Sequence, residues 1–337
     1  MKSKAIPISA MLILGATLLY KGLRPQASFA GQVVVITGGS RGLGFALARN
    51  LARQNADLAL IARDESELAK ARSELTGYGS IVTTWPCDIF DESALRATID
   101  QIGKRFGVID MLINNAGEIL VGPFDAMNRH DFISAMNIHF WAPLTAITTV
   151  LPYLRKTANP RIINISSIGG RIAVPHLGPY CASKFALTGL SDVLRAELAS
   201  KKIAVTTVTP GLMRTGSHQN ALFKGAHRQE FSWFSLSAGA PLISMGADRA
   251  ARKILQAALK KRPVLTLTLT ARALILVQAV FPNYLGRIMK LVARLLPNMP
   301  SHGGTDPHTG WESHSRISPS VLTVLADRAV DQFNERR

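Results

Sequence analysis

The amino-acid sequence predicts an α/β fold in which helices cover both faces of a parallel sheet. Continuous β-branched runs, such as "QVVVIT" (32–37) and "RIINISS" (161–167), are typical of strands buried on both sides. These runs alternate with stretches of helical periodicity such as residues 91–107, and a glycine-rich turn follows the first run. Repeated strand–helix units of this kind predict a Rossmann-like, doubly wound sheet of about seven strands.

The predicted elements follow one another without long gaps. Strands are expected at 32–37, 57–62, 80–88, 108–114, 161–167 and 263–267. Helices are expected at 45–54, 65–75, 91–107, 131–156 and 246–261, with another around "YCASK" (180–184). We therefore expect four segments: a hydrophobic anchor (1–25), the catalytic domain (31–267), a basic apolar helical extension (268–300) and a polar tail (301–337).

The N-terminus carries the apolar stretch "IPISAMLILGATLLY" (6–20), with lysines before it and basic residues after it. Extended to Leu23 it would be about 27 Å long as a helix, which is just enough to span a bilayer. We favour an uncleaved anchor that leaves the catalytic domain facing the cytoplasm. The small residues Ser28 and Ala30 leave a cleaved signal peptide as the alternative.

The charge of the chain is strongly positive, with 39 Lys and Arg against 22 Asp and Glu. Residues 249–299 contain ten of the basic residues and no acidic one, in an otherwise apolar segment. This combination indicates a membrane surface rather than nucleic acid, for which we find no signature. His302, His308 and His314 lie in a Gly/Ser/Thr-rich context that favours a flexible tail, so we expect no metal site.

The glycine-rich turn, with Gly38, Gly42 and Gly44, indicates a dinucleotide site. It lies between a strand and a helix, so the N-terminus of the helix can bind a pyrophosphate. Arg41 in the turn and Arg63 after the second strand would suit a 2′-phosphate, which favours NADP(H) over the alternative NAD(H). Asp64 points the other way, although it can also be read as a helix cap.

Tyr180 and Lys184 stand four residues apart in "YCASK". On a helix they share one face, where an ammonium beneath a phenol should lower the pKa of the tyrosine toward neutrality. That pair would then act as a general acid/base.

Together these motifs resemble the short-chain dehydrogenases/reductases, in the main single-domain branch of that superfamily. The matching features run from Gly31 to Val264: Thr37-Gly38-x-x-x-Gly42-x-Gly44, Asn114-Asn115-Ala116-Gly117, Ser167 thirteen residues before Tyr180, Tyr180-x-x-x-Lys184, and Pro210-Gly211. The resemblance implies that Tyr180 exchanges a proton with the substrate oxygen and that Lys184 holds the nicotinamide ribose. It also implies that Ser167 binds the carbonyl oxygen and that Asn137 supports a proton relay.

The same resemblance implies a set of cofactor contacts. Asp88 is expected at the adenine, Asn115 and Gly117 at the adenosine ribose, and Thr215 at the carboxamide. The full expected set is Gly38, Ser40, Arg41, Gly42, Leu43, Gly44, Arg63, Asp88, Asn115, Ala116, Gly117, Tyr180, Lys184, Pro210, Gly211 and Thr215.

The substrate is expected to be apolar, because residues 216–240, where the family carries a lid, contain Phe223, Phe231, Trp233 and Phe234. These aromatics could instead pack beneath the lid or contact lipid. In the extension, Arg287, Lys290 and Arg294 fall on one face of a helix, as in helices that lie on anionic membranes. The alternative is a helix docked on the domain or on a second subunit.

We therefore expect an NADP(H)-dependent oxidoreductase that interconverts a ketone or aldehyde and an alcohol. The resemblance to membrane-tethered family members implies a steroid, retinoid or long-chain lipid as substrate and a homodimer or tetramer. The alternatives are an NAD-dependent alcohol dehydrogenase with a small soluble substrate, an epimerase or dehydratase, and a non-catalytic nucleotide-binding membrane protein.

Overall fold

The computed structural model describes residues 28–336, except 241–242, 302, 316–317 and 321–322. The predicted anchor at residues 1–25 lies outside the described residues, so it stays a prediction.

The strands and helices follow the predicted alternation closely. The strands are β1 (Val33–Thr37), β2 (Asp57–Ala62), β3 (Val82–Pro86), β4 (Met111–Asn114), β5 (Leu120–Val121), β6 (Arg161–Ile165), β7 (Ala204–Thr209), β8 (Leu212–Arg214), β9 (Leu222–Phe223), β10 (Ser244–Gly246), β11 (Val264–Thr266) and β12 (His308–Thr309). The helices are α1 (Gly42–Ala52), α2 (Glu65–Thr76), α3 (Glu92–Phe106), α4 (Arg129–Met136), α5 (Ala142–Leu154), α6 (Gly178–Glu197), α7 (His227–Gly239), α8 (Ala247–Leu259), α9 (Leu269–Val280), α10 (Pro282–Leu295) and α11 (Val324–Gln332).

Seven of the strands form one parallel sheet, in the order β11-β7-β6-β4-β1-β2-β3. The chain builds outward from β1 to β3 and then returns to β4 on the other side of β1. A crevice opens at such a switch point, beyond the carboxyl ends of the strands. The predicted Rossmann-like sheet of seven parallel strands is confirmed.

The central strands are buried on both faces, as their β-branched sequences predict. Val34 and Ile36 pack with α1 and α8 on one face of the sheet, whereas Val33 and Val35 pack with α3 and α5 on the other. Side chains alternate in this way because the strand period is two residues. Each such buried side chain contributes roughly 1.5–3 kcal/mol relative to exposure, so the two faces together hold the sheet in its register.

The helix expected over residues 131–156 is interrupted by a turn of π-helix, Asn137–Trp141, between α4 and α5. Its wider turn is closed by the bond from the Ala142 N–H to the Asn137 carbonyl. A π-turn inserts one extra residue into the helical repeat and rotates the following side chains relative to an unbroken α-helix. This rotation matters for the site described below.

The extension forms two helices, α9 and α10, which are separated at Pro282 as the sequence predicts. Large apolar side chains on this pair are exposed, among them Leu276, Val280, Tyr284, Leu291 and Leu295. Among the residues that the structure describes, no helix has the length and apolarity needed to cross a membrane.

The described part of the polar tail (301–337) packs on the domain, including the stretch around His308 and His314 whose composition favours a flexible segment. β12 pairs with β9, and α11 packs on the domain through Ala329 and Phe333. Ala326, Ala329, Val330 and Phe333 recur at spacings of three and four residues and are all buried. These few apolar residues supply a helical face even though the surrounding composition is polar.

Candidate active site

A cavity of about 1360 Å³ lies at the carboxyl ends of the central strands. Single-ligand pockets have volumes of roughly 300–1000 Å³, so the cavity is large enough for two molecules. Residues that directly follow β1, β2, β4, β6 and β7 line it. The long-range topology therefore brings the predicted glycine turn and the predicted catalytic residues to one crevice.

Ser167, Tyr180 and Lys184 meet in the wall of this cavity. Ser167 follows β6, and its side chain is hydrogen-bonded to the Tyr180 hydroxyl. The Lys184 Nζ donates to the Ile165 carbonyl at 2.9 Å and lies 5.7 Å from the centre of the Tyr180 ring. The first turns of α6 and the end of β6 thus place a hydroxyl, a phenol and an amine side by side.

The neighbouring serine faces away from the cavity chemistry. Ser166 Oγ lies 2.7 Å from Thr188 Oγ1 and donates to the Lys184 carbonyl at 3.2 Å. Ser166 therefore ties β6 to α6, and it leaves Ser167 as the serine that contacts Tyr180.

The pKa shifts of the pair differ from the expectation. Burial raises the pKa of Tyr180 to about 12, although the hydrogen bond from Ser167 opposes the shift. Burial also lowers the pKa of Lys184 to about 7. The prediction that the ammonium lowers the pKa of Tyr180 toward neutrality is wrong, because the cost of burying a charge outweighs the attraction. Tyr180 is consequently a protonated phenol at neutral pH.

The structure does not place Asn137 on the cavity; His139, two residues further along the π-helix, lines it instead. His139 is 1% exposed, and its Nδ1 lies 2.8 Å from Ser183 Oγ. Its Nε2 accepts a hydrogen bond from the Glu118 N–H at 3.3 Å, so the ring carries its proton on Nδ1. His139 thereby connects the turn after β4 with the helix that carries Tyr180.

His139 is also close to the catalytic pair. Its ring meets the Tyr180 ring edge to face, with centroids 5.3 Å apart. A methyl group added at Gly117 would lie 2.9 Å from His139 Nε2 and 3.7 Å from Lys184 Nζ. Burial and the nearby Lys184 charge hold the pKa of His139 well below its usual range. A histidine among apolar helix residues was the signal for His139, whereas the family resemblance had pointed to Asn137.

The glycines of the turn are required by close approaches. A Cβ at Gly44 would lie 2.0 Å from the Gly38 carbonyl oxygen, and one at Gly38 would lie 2.9 Å from the Ala116 Cα. Gly42 has a φ of +58°, a conformation that favours glycine. The turn after β1 is therefore packed against the turn after β4, with the start of α1 beside the cavity.

Most of the expected cofactor residues line the cavity. They are Gly38, Ser40, Arg41, Gly42, Leu43, Arg63, Asn115, Ala116, Gly117, Tyr180, Lys184, Pro210, Gly211 and Thr215. Gly44 lies behind the turn, where it allows the close packing just described. Asp88 is exposed outside the cavity, where its carboxylate accepts from the Phe90 N–H at 3.1 Å, while Cys87 and Ile89 line the wall in its place.

The two arginines expected at the 2′-phosphate differ in their partners. Arg41 donates to Glu67 at 3.0 Å and lies 3.6 Å from Glu335. Arg63 is exposed and forms no salt bridge with any residue that the structure describes. The guanidinium of Arg63 is therefore the one that remains available to an added anion.

The far end of the cavity is apolar. Trp233 and Phe234 of α7 line it together with Leu177, Ile243 and Leu274. Phe223 and Phe231 are fully buried beneath the lid, so only half of the expected aromatics face the cavity. The buried carboxylate of Glu230 fixes this wall by accepting from Trp233 Nε1 at 2.7 Å and by pairing with His176 Nδ1 at 2.8 Å.

Of the three tail histidines, His302 lies outside the described residues. His308 stacks on His227, and His314 Nε2 lies 2.9 Å from Gln219 Oε1. Within the described ranges, no three His, Cys, Asp or Glu side chains are grouped as a metal site requires.

Comparison with known proteins places the chain among oxidoreductases. The sequence profile described as short chain dehydrogenase matches residues 32–224. The chain is 32% identical over 276 residues to the oxidoreductase named SadH of Mycobacterium tuberculosis, which covers 81% of this chain and 99% of that protein. It is 34% identical to a fatty acyl-CoA reductase of Acinetobacter baylyi over 55% of this chain and 63% of that one. A solved short-chain dehydrogenase from Streptomyces avermitilis has the same fold, with a TM-score of 0.68 and 24% identity over 80% of this chain and 99% of that chain.

Proposed function

The chain belongs to the short-chain dehydrogenase family of oxidoreductases, and we propose that it reduces a ketone or aldehyde on an apolar substrate, with NADP(H) as cofactor and Tyr180 as proton donor. One observation carries the proposal: the Tyr180 hydroxyl, hydrogen-bonded to Ser167, belongs to a half-buried, protonated phenol that lines the large cavity.

The side chains of Ser167, Tyr180 and Lys184 suit the reduction of a carbonyl group. A carbonyl oxygen that contacts both the Ser167 and the Tyr180 hydroxyl receives two hydrogen bonds where its negative charge develops. Tyr180 then transfers its proton to that oxygen, which completes the alcohol. Lys184, buried behind the phenol, is positioned to stabilise the resulting phenolate when it carries its proton. The acid form of Tyr180, which is the one present at neutral pH, is the form that carbonyl reduction requires.

The residues present fit a nicotinamide dinucleotide. The close packing at Gly38 and Gly44 brings the start of α1 to the cavity, which Ser40, Leu43 and Thr215 also line. Asn115 and Gly117 line the wall at the end of β4. When bound, the reduced nicotinamide supplies the hydride. The protein orients both reactants and holds the proton at the Tyr180 oxygen.

The preference for NADP(H) is supported by Arg63. The sequence suggested two guanidiniums for the 2′-phosphate, but Arg41 is already paired with Glu67 and Glu335. Arg63 and Lys70 line the same part of the cavity, and Arg63 can bind a phosphate in a bidentate manner. Replacing Arg63 should therefore change the preference for NADP(H) over NAD(H) more than replacing any other single residue in this part of the cavity.

An apolar substrate is supported by the far wall of the cavity and by the relative that is named a fatty acyl-CoA reductase. A wall of Trp233, Phe234, Ile243 and Leu274 binds an apolar molecule by removing its surface from water. A small polar substrate would leave this wall in contact with solvent.

We further propose that the protein works at an anionic membrane surface, with the catalytic domain facing the cytoplasm. The exposed apolar side chains of α9 and α10 lie on the same helices as Arg287, Lys290 and Arg294, which are also exposed. Leu274 of α9 lines the cavity as well, so a lipid-dissolved substrate has a short path to the site. Residues 1–25, as the expected anchor, would add a second attachment to the membrane.

A substrate screen tests the proposed activity. The oxidation of NADPH is followed by absorbance with matched pairs of carbonyl compounds, one apolar and one polar in each pair. We expect turnover with apolar ketones or aldehydes. Turnover with small polar substrates alone would support the alternative of an NAD-dependent dehydrogenase for small alcohols, and dinucleotide binding without any turnover would support a non-catalytic protein.

The cofactor preference is tested separately with Arg63→Asp. We expect the ratio of kcat/KM for NADPH to that for NADH to fall by about 10–100-fold, because a carboxylate repels the 2′-phosphate and accepts a hydrogen bond from a 2′-hydroxyl. Arg72→Asp makes the same charge change at an exposed position on α2, away from the cavity. An unchanged ratio in Arg63→Asp would contradict the assignment.

A further inference from the structure

The C-terminal segment, residues 333–336, lies against the glycine turn nearly 300 residues earlier in the chain. The Phe333 carbonyl accepts from the Gly42 N–H at 2.8 Å, and Asn334 Nδ2 donates to the Ser40 carbonyl at 3.5 Å. Asn334, Glu335 and Arg336 line the cavity beside the residues of the turn. The segment is thus part of the wall that a dinucleotide would meet at the start of α1.

Glu335 is the charged residue that this segment buries. Its side chain is 3% exposed, and a methyl group added at Gly42 would lie 2.7 Å from its Oε1. Oε2 lies 3.6 Å from Arg41 Nε and accepts from Asn220 Nδ2 at 2.7 Å. The carboxyl group therefore lies directly on the turn whose helix start favours anions.

We propose that Glu335 is a component of the dinucleotide site and that it couples cofactor binding to the uptake of one proton. This inference rests on the proposed function, because it assumes a dinucleotide at the turn. A phosphate bound beside the start of α1 repels an ionised carboxylate next to Gly42, whereas it tolerates a protonated carboxyl group there. The cofactor consequently binds the protonated form more tightly.

The groups that face Glu335 allow both forms near neutral pH. Burial raises the pKa of Glu335 to about 7, and Glu67 on α2 adds to the shift. Arg41 in the turn and the Asn220 amide act in the opposite direction. Because burial outweighs these two, a modest added negative charge is enough to change the protonation state.

The Asn220 amide can serve both forms. Its Nδ2 donates to the ionised Glu335, and its Oδ1 is buried without a hydrogen-bond partner among the residues described. Nδ2 also donates to the Glu335 backbone carbonyl at 2.9 Å, and a protonated carboxyl group still accepts a hydrogen bond at its unprotonated oxygen. Neither protonation state of Glu335 therefore leaves its carboxyl group without a partner.

The direction of the pH dependence follows from linkage. Below about pH 7 Glu335 is protonated in the free protein, so binding needs no proton. As the pH rises above that value, each binding event must take a proton from solution, and the affinity falls by up to about tenfold per pH unit. Stronger binding at low pH is the signature expected of a raised carboxyl pKa that the cofactor raises further.

Calorimetric titration with NADPH tests the proposal. It is carried out from about pH 6 to about pH 8.5 in buffers of different ionisation enthalpy, so that proton uptake is measured directly. The 2′-phosphate of NADPH has its own pKa near 6, but it contributes equally in every variant. The compared proteins are the wild type, Glu335→Gln and Glu197→Gln, the last removing an exposed carboxylate at the end of α6, away from the cavity.

We expect wild type and Glu197→Gln to take up a large fraction of a proton near pH 8, and Glu335→Gln to lose that uptake. Glu335→Gln should bind NADPH about tenfold more tightly than wild type at the highest pH and equally at the lowest. The same titration of Glu335→Ala tests a side chain that can neither ionise nor form a hydrogen bond. Equal proton uptake in wild type and both Glu335 variants would overturn the inference while leaving the proposed function intact, whereas a wild type that binds no dinucleotide would overturn both.

Discussion

The two ends of the cavity are built differently. The catalytic end, with Ser167, Tyr180, Lys184 and His139, is carried by the central sheet and α6, and its polar atoms have partners inside the protein. The substrate end is formed by α7 and α9, which lie outside the sheet, and Leu274 there is 37% exposed. The chemistry is thus held by the rigid core, whereas substrate selection is left to peripheral helices that can vary without disturbing it.

The largest effect is expected at the catalytic end from Tyr180→Phe. The ring volume is retained, but the proton donor is lost, so kcat should fall by about a thousandfold. Binding of NADPH should change little, because the hydroxyl acts on the substrate. Tyr153→Phe removes a hydroxyl from α5 away from the cavity and should leave kcat unchanged. Full activity in Tyr180→Phe would show that the catalytic end is assigned wrongly.

The second-largest effect on activity is expected from substitution of His139, which is a positioning residue. His139→Phe keeps a ring but cannot accept the Glu118 N–H or bond Ser183, and kcat/KM should fall by about 10–100-fold, as for other supporting partners of a site. His139→Asn, which can still accept one hydrogen bond, should recover part of the loss.

Asn137 provides the matched comparison for His139, because both lie in the π-helix and only His139 lines the cavity. Asn137→Ala should therefore keep kcat/KM within about twofold of wild type. If Asn137→Ala lost as much activity as His139→Phe, the relay suggested by the sequence would be favoured over the contacts of His139.

The smallest effect is expected at the substrate end. Leu274→Ser should raise KM for long apolar substrates by about fivefold and leave kcat nearly unchanged, because only uniform binding is lost. Leu276→Ser makes the same change two residues along α9 at a position outside the cavity, and its KM should match that of wild type. A fall in kcat of Leu274→Ser would indicate that α9 also aligns the reacting groups.

Much of this molecule could be predicted from local sequence. The apolar runs predicted β1 and β2 to within a residue, because a strand buried on both faces has little freedom in composition. The Tyr180–Lys184 pair was predictable because four residues are about one helical turn, and Ser167 was implied by the resemblance to the family. Gly38 and Gly44 were predictable because only glycine fits backbone contacts as close as theirs.

Other features depend on contacts that local sequence does not contain. The family resemblance indicated Asn137, whereas His139, two residues further along the π-helix, is the residue that lines the cavity. The pKa of Tyr180 depends on burial by the whole domain, which the four-residue spacing to Lys184 does not reveal. Glu335 meets Gly42 only because α11 packs against the first face of the sheet.

The central claim is that Tyr180 is a half-buried phenol in the cavity wall that stays protonated at neutral pH and donates its proton. It is tested most directly by a spectroscopic pH titration of phenolate absorbance, taken as the difference between wild type and Tyr180→Phe. We predict no ionisation of Tyr180 below about pH 10, since burial moves its pKa above the ordinary tyrosine value. A transition of Tyr180 near neutral pH would contradict the claim and restore the activated phenolate that the sequence alone suggested.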